Sequence, residues 1–201
     1  MSDKQIDTYI SLASPWTYLG WERLEAIARR HGAGVAYHPI DTGLVFAATG
    51  GLPLPQRSPE RRAYRLAELR RWKAYLGAED FNVEPKHFPV RPDQAAQMAI
   101  AAREGGADIG GLCRAVLRAV WCEERDIAER ETLATIATAE GFDGAALLAA
   151  ADDPAMAERY RTDSEAAIAR GVFGAPTYVV GDQLFWGQDR LDFLDRLLAA
   201  A

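Results

Sequence analysis

Ile6, Thr8, Ile10 and Leu12 alternate with Asp7, Tyr9 and Ser11, a period of two in a β-branched run that predicts a strand. The alternation stops at Ser14-Pro15. Leu19, Leu24, Ile27 and Ala28 then recur near helical spacing until His31-Gly32-Ala33-Gly34, with Arg29 and Arg30 in the last turn, so a capped helix follows. Val35 to Ile40 completes a strand-helix-strand unit whose short connections favour parallel strands and a right-handed crossover. From about Pro59 to Ala169 the periodicity is helical throughout, and it predicts helices over 59–76, 92–104, 109–124, 131–140, 145–150 and 154–170. Gly77, Gly105-Gly106, Gly141 and Pro154 separate most of them. Thr177 to Val180 and Gln183 to Trp186 form a hairpin across Gly181-Asp182, and Leu191, Leu194, Leu197 and Leu198 mark one face of a last helix over 190–198.

The order βαβ, helices, ββα is that of an α/β protein with a thioredoxin-like fold, split by a large all-helical insertion. It divides the chain into a thioredoxin-like domain, residues 1–43 and 171–201, and an inserted helical domain, residues 44–170. A length of 201 residues with 49% hydrophobic and 26% charged residues suits a soluble folded chain with one main core. The 23 basic against 29 acidic side chains give a net charge of −6, which repels a polyanion and disfavours a nucleic-acid partner. A small-molecule or protein partner fits better. The start Met1-Ser2-Asp3-Lys4-Gln5 is polar and no run approaches the roughly 18 apolar residues of a membrane span, so neither a signal peptide nor a membrane anchor is expected. The only cysteines, Cys113 and Cys122, stand nine residues apart in a helical stretch and fall on nearly opposite faces, so they do not pair; a reducing cytoplasm is the expected setting.

Candidate chemistry lies at the junctions. Ser14-Pro15-Trp16-Thr17 sits where the first strand meets the first helix, with Ser14 as N-cap and Pro15 at the first helical position. One reading is a good cap. The other is an anion site, in which orphan amides, the positive end of the helix and the Ser14 hydroxyl receive a thiolate or carboxylate. Redox thioredoxins carry Cys-x-x-Cys at this turn; Ser14 and Thr17 hold the two sulfur positions here, so disulfide exchange is impossible there. A thiolate handled at this turn must come from outside, and glutathione is the abundant cytoplasmic thiol. Lowering a thiol pKa by about two units needs roughly 2.7 kcal/mol. One hydrogen bond to a charged group supplies about 1.5–3 kcal/mol and a helix terminus about 0.3–1 kcal/mol, enough without a buried cation.

Ala175-Pro176, just before the hairpin, either blocks a strand edge or, in a cis conformation, leaves the Ala175 amide and carbonyl to pair with an extended peptide such as glutathione. Asp189 opens the last helix as a cap or, with Gln188, holds an ammonium group. Arg57, Arg61, Arg62, Arg65, Arg70, Arg71 and Lys73 crowd the first inserted helix, either as a solvated face or with Arg61 or Arg65 meeting a carboxylate over Ser14. His31, His38 and His87 lack ligand-like spacing, so no metal site is expected. The glycine-rich fingerprints of dinucleotide and ATP sites and the Gly-x-Ser-x-Gly elbow are absent. Trp16 and Trp186 flank the turns and are placed to wall an aromatic substrate.

Ser14-Pro15-Trp16-Thr17-Tyr18-Leu19-Gly20, Gly171-Val172-Phe173-Gly174-Ala175-Pro176-Thr177 and Phe185-Trp186-Gly187-Gln188-Asp189-Arg190-Leu191, in this order around a helical insertion, resemble the 2-hydroxychromene-2-carboxylate isomerase family. Kappa class glutathione transferases share that architecture. The resemblance implies a glutathione-dependent homodimer in naphthalene-type aromatic degradation, interconverting 2-hydroxychromene-2-carboxylate and trans-o-hydroxybenzylidenepyruvate. On the implied mechanism the thiolate adds to a conjugated carbon, the weakened bond rotates, and elimination returns free glutathione. It further implies that Ser14 is catalytic and binds the glutathione sulfur. Ala175 and Pro176 would meet the cysteinyl backbone, Gln188 and Asp189 the γ-glutamyl end, and Arg61 a carboxylate. Two departures stand out: Gly51 replaces an asparagine often found in related enzymes, and Arg61 replaces a lysine. Alternative readings are a kappa-like transferase that conjugates or reduces small electrophiles, and a non-catalytic thioredoxin-like binding module.

Overall fold

The computed structural model describes residues 4–200; residues 1–3, on which part of the signal-peptide expectation rests, lie outside the described residues, as does 201. The first strand, β1 (Gln5–Ile10), runs parallel to β2 (Gly34–Pro39), with Ile6 opposite Val35. Between them α1 spans Pro15–His31. Ser14 caps its start, and Gly32, at φ 62°, closes its end by donating to the Ala28 and Arg29 carbonyls. At the other end of the chain β3 (Thr177–Val180) pairs antiparallel with both β1 and β4 (Gln183–Trp186), giving the sheet order β2-β1-β3-β4.

Period-two patterning in β1 works as read. Ile6 and Ile10 enter the main core with Leu24 of α1 and with Leu191, Leu194 and Leu198 of the last helix. Tyr9 enters a smaller cluster on the other face with Ile40, Val45, Ala167, Val172 and Val179.

Among the described residues seven α-helices separate β2 from β3: α2 (Thr42–Thr49), α3 (Pro59–Leu76), α4 (Asp93–Glu104), α5 (Gly110–Trp121), α6 (Arg130–Ala139), α7 (Gly144–Ala151) and α8 (Pro154–Ala169). The chain ends in α9 (Leu191–Ala200), entered through a 3₁₀ turn at Gln188–Arg190. Six of the inserted helices follow the periodicity. The third of them, expected over 109–124, ends early, because α5 stops at Trp121: Glu124 takes a left-handed φ of 52°, and the Arg125 amide turns back to the Ala119 carbonyl at 2.9 Å. The remaining helix, α2, has no counterpart in the pattern; only Val45 of its eight residues is buried, so no apolar stripe announces it. It is built by its caps, with the Asp41 carboxylate accepting from the Gly43 and Leu44 amides and Gly50 closing the end at φ 80°. It covers the second face of the sheet together with α8.

Asp7, at the outer side of β1, ties the sheet to the end of α8. One carboxylate oxygen accepts from Arg170 Nη1 at 2.6 Å and the other lies 3.1 Å from His38 Nε2. Burial pulls the Asp7 pKa up, but hydrogen bonds from Arg170, Gln5 and His38 outweigh it and hold the carboxyl below the ordinary aspartate range. A lowered folded pKa gives stability that is fully present above the unfolded value and is lost as pH falls through the folded one. Asp7→Asn is therefore expected to cost about 1–2 kcal/mol at neutral pH and to flatten the loss of stability below about pH 4, read by urea unfolding against pH; an unchanged acid limb would contradict this role.

Candidate active site

The turn between β1 and α1 places Ser14 half-buried at the floor of a cleft of about 1020 Å³. Its backbone is extended, at φ −84° and ψ 122°, and its Oγ accepts from the Thr17 amide at 3.2 Å. Both sequence readings of this serine meet in one side chain: the oxygen caps the helix, and the hydroxyl hydrogen is left to donate into the cleft. Thr17, the second sulfur position of a redox turn, is only 2% exposed and does not reach the cleft.

The segment Phe173-Gly174-Ala175 lines the same cleft as Ser14. The Ala175-Pro176 bond is cis, and so is Phe88-Pro89, about which no expectation was formed. The Pro176 carbonyl accepts from the Gly187 amide at 2.8 Å, and Thr177 Oγ1 donates to the Gly174 carbonyl at 2.7 Å. The Ala175 amide and carbonyl have no backbone partner among the described residues, so both are open to an added peptide.

A smaller lobe of about 370 Å³ continues past Trp16, Ala175 and Trp186 to Gly187, Gln188 and Asp189. Here the two candidate residues part company. Gln188 is 2% exposed, and its amide oxygen accepts from Arg23 Nη1 at 2.7 Å, so its side chain is committed to holding the turn against α1. Asp189 sits within the 3₁₀ turn ahead of α9, 3.4 Å from Arg190, and lines the lobe. Gly20 makes the close approach of α1 to this turn possible, since a Cβ there would lie 2.8 Å from both Gln188 Cβ and the Tyr178 hydroxyl.

Part of the wall of the large lobe comes from segments the sequence left without a function. Phe46 of α2 lines it, and so do Leu52, Phe88 and Trp186, with Trp186 51% exposed and packed on Phe173. Trp16 and Trp186 stand where the sequence placed an aromatic wall. Arg57, Arg61 and Arg65 line the opposite side, with Arg61 exposed at the mouth and Arg65 further buried. At Gly51 the departure has a steric cause: a Cβ would lie 2.4 Å from Phe46 Cδ1 and 2.8 Å from its Cγ. The phenyl ring thus occupies the space an asparagine side chain needs. Gly51→Asn alone is expected to lose about 1–3 kcal/mol by overpacking, and Phe46→Ala in the same chain to restore most of it, as a double-mutant cycle of thermal unfolding would show.

Other reactive groups stand apart. Burial pushes the Cys113 thiol up, and it pushes up Cys122 as well, whose sulfur lies 2.9 Å from the Tyr18 hydroxyl, so neither supplies a thiolate near neutrality. The histidines are dispersed, each beside a different aspartate: His31 with Asp195, His38 with Asp7 and His87 with Asp126. No described helix is long and apolar enough to cross a membrane.

A model of the DSBA-like thioredoxin domain matches residues 5–199, almost the whole chain. A Sphingobium xenophagum 2-hydroxychromene-2-carboxylate isomerase is 34% identical over 197 residues, covering 97% of this chain and 98% of its own. The chain belongs to the 2-hydroxychromene-2-carboxylate isomerase family. A relative of the same name from Pseudomonas putida is 31% identical over 193 residues, covering 94% of this chain and 92% of its own length. A solved 2-hydroxychromene-2-carboxylate isomerase structure superimposes with a TM-score of 0.81 at 30% identity, covering 98% of this chain and 95% of that one. The thioredoxin-like architecture with its helical insertion, read from the order of elements, is thus the architecture of this family.

Proposed function

We propose that this chain is a glutathione-dependent isomerase acting on 2-hydroxychromene-2-carboxylate or a closely similar conjugated aromatic acid. The observation that carries the reading is Ser14: a hydroxyl at the start of α1, with its oxygen already accepting from Thr17, lines the same open cleft as Ala175, whose amide and carbonyl have no backbone partner among the described residues. The family membership supports the isomerase half of the reading, since the relatives carry that activity in their names.

The residues present fit glutathione piece by piece. Ala175 offers an amide and a carbonyl to its cysteinyl backbone, and the adjoining Pro176 fixes where that edge stands. Asp189 lies at the far end of the small lobe, where a carboxylate receives the γ-glutamyl ammonium, and Gln188 positions that turn through Arg23. Arg61, at the mouth of the large lobe, takes the glycyl carboxylate. If bound, glutathione would supply a thiolate, the nucleophile needed for reversible addition to a conjugated carbon and for the elimination that returns it. Ser14 contributes by donating to the sulfur, which favours the ionised form over the thiol. Trp16, Phe46 and Trp186 supply flat apolar walls against which a planar substrate is held.

The test follows isomerisation spectroscopically while free thiol is counted. The expected result is a rate that rises and saturates with glutathione while the thiol count stays constant. Stoichiometric loss of thiol would assign conjugation instead, and a rate indifferent to glutathione would remove the cofactor from the account.

A further inference from the structure

The large lobe contains a cation with no partner. Arg65 lies over two aromatic rings, its guanidinium carbon 5.0 Å from the centre of Phe88 and 5.9 Å from that of Trp121. Its Nη2 is fully buried, and among the described residues no acceptor reaches it. The nearest cationic company is repulsive: Arg57, whose Nε donates to the Leu52 carbonyl at 2.8 Å, lines the same wall. The two acids of this lobe are used elsewhere. Glu68 pairs with Arg71, and Glu60 hydrogen-bonds at the start of α3 with Ser58 and its own amide. A guanidinium with a buried nitrogen that lacks an acceptor, and with no counter-ion beside it, is unfavourable as it stands and is relieved when an anion completes it.

We propose that Arg65, flanked by Arg57, is the specificity-determining residue that receives the carboxylate of the thiol-accepting substrate, so that this site selects planar conjugated monocarboxylates over their neutral esters. The inference deepens the isomerase reading and rests on it only for the identity of the partner thiol. Three features favour this assignment over the glycyl carboxylate of glutathione. The two lobes share Trp16, Tyr64, Glu68, Ala175 and Trp186, yet Arg57, Arg61 and Arg65 line only the larger one, the smaller having Arg190 beside the Asp189 carboxylate. Arg61 is exposed at its mouth, whereas Arg65 sits deeper against Phe88 and Trp121. The planar fork of a guanidinium matches a carboxylate in two parallel hydrogen bonds, and the adjoining rings accept the flat body of a conjugated acid. Burial and the Arg57 charge push the Arg65 pKa down to about 10, so it remains a cation at neutral pH, while a bound anion would relieve the strain on its charge.

Isothermal titration with trans-cinnamate and with its methyl ester tests this without turnover. The acid is expected to bind the unmodified protein at least about tenfold more tightly than the ester, the worth of one charge-assisted contact. Arg65→Gln is expected to erase that preference and leave glutathione affinity within about twofold, while Arg65→Lys, charged but without the fork, retains part of it. Arg57→Gln, at a less enclosed position, is expected to weaken the preference about two- to fivefold, and it serves should Arg65→Gln not fold. Equal binding of acid and ester to the unmodified protein would overturn the proposal, as would a preference that survives Arg65→Gln. Loss of glutathione binding in Arg65→Gln would overturn it too, by giving Arg65 to the cofactor. A clear acid preference in a protein that binds no glutathione would uphold Arg65 and sink the cofactor reading alone.

Discussion

Ser14→Ala is expected to slow isomerisation by about ten- to a hundredfold at saturating glutathione, the worth of one hydrogen bond to a charged sulfur. The same oxygen accepts from the Thr17 amide at 3.2 Å, so the alanine also removes the cap of α1 and costs about 1 kcal/mol of stability. Two effects in one variant have to be separated. Ser14→Asp does this, because aspartate caps a helix as well as serine yet sets a negative charge against the thiolate. It is expected to keep its stability and to lose at least as much activity as the alanine variant. A Ser14→Ala rate within tenfold of the parent would contradict a sulfur-directed role, and recovery of activity by Ser14→Asp would reduce the serine to a cap.

Gly20→Ala carries the second large effect, and its sign is decided by packing against propensity. In an exposed helix the change would gain about 1 kcal/mol. Here the new Cβ would stand 2.8 Å from Gln188 Cβ and 2.8 Å from the Tyr178 hydroxyl. Neither neighbour is free to yield: Tyr178 is 1% exposed within the sheet, and Gln188 is 2% exposed and held by Arg23. The expected outcome is a net loss of about 1–3 kcal/mol, together with a several-fold weaker glutathione affinity as the Gln188-Asp189 turn moves outward. Urea unfolding and isothermal titration read the two effects. A more stable variant with undiminished affinity would show that α1 and the turn are not in firm contact.

What the sequence reveals here follows from how local each signal is. The strands and most helices were legible because Ile6, Thr8 and Ile10, or Leu191, Leu194 and Leu198, repeat at the period of their element and bury one face. Ser14 was legible because capping and the strand-to-helix turn are contiguous in the chain. The α2 helix was not, since caps rather than a stripe define it, and with it the Phe46 wall and the reason for Gly51 stayed hidden. The bond that ties Gln188 to α1 was hidden because its partner, Arg23, is 165 positions away. Arg61 and Arg65 looked alike in a basic run; only the rings of Phe88 and Trp121, brought beneath Arg65 by tertiary packing, set the two apart.

On the function proposed above, Ser14 stabilises a bound glutathione thiolate. The most direct measurement is the ultraviolet absorbance of that thiolate, titrated against pH with reduced glutathione on the unmodified protein and on Ser14→Ala. The expected result is saturable binding, with the bound thiol ionising about two pH units below the free one and most of that shift lost in the variant. No binding at millimolar glutathione, or a bound thiol that ionises as it does in water, would contradict it.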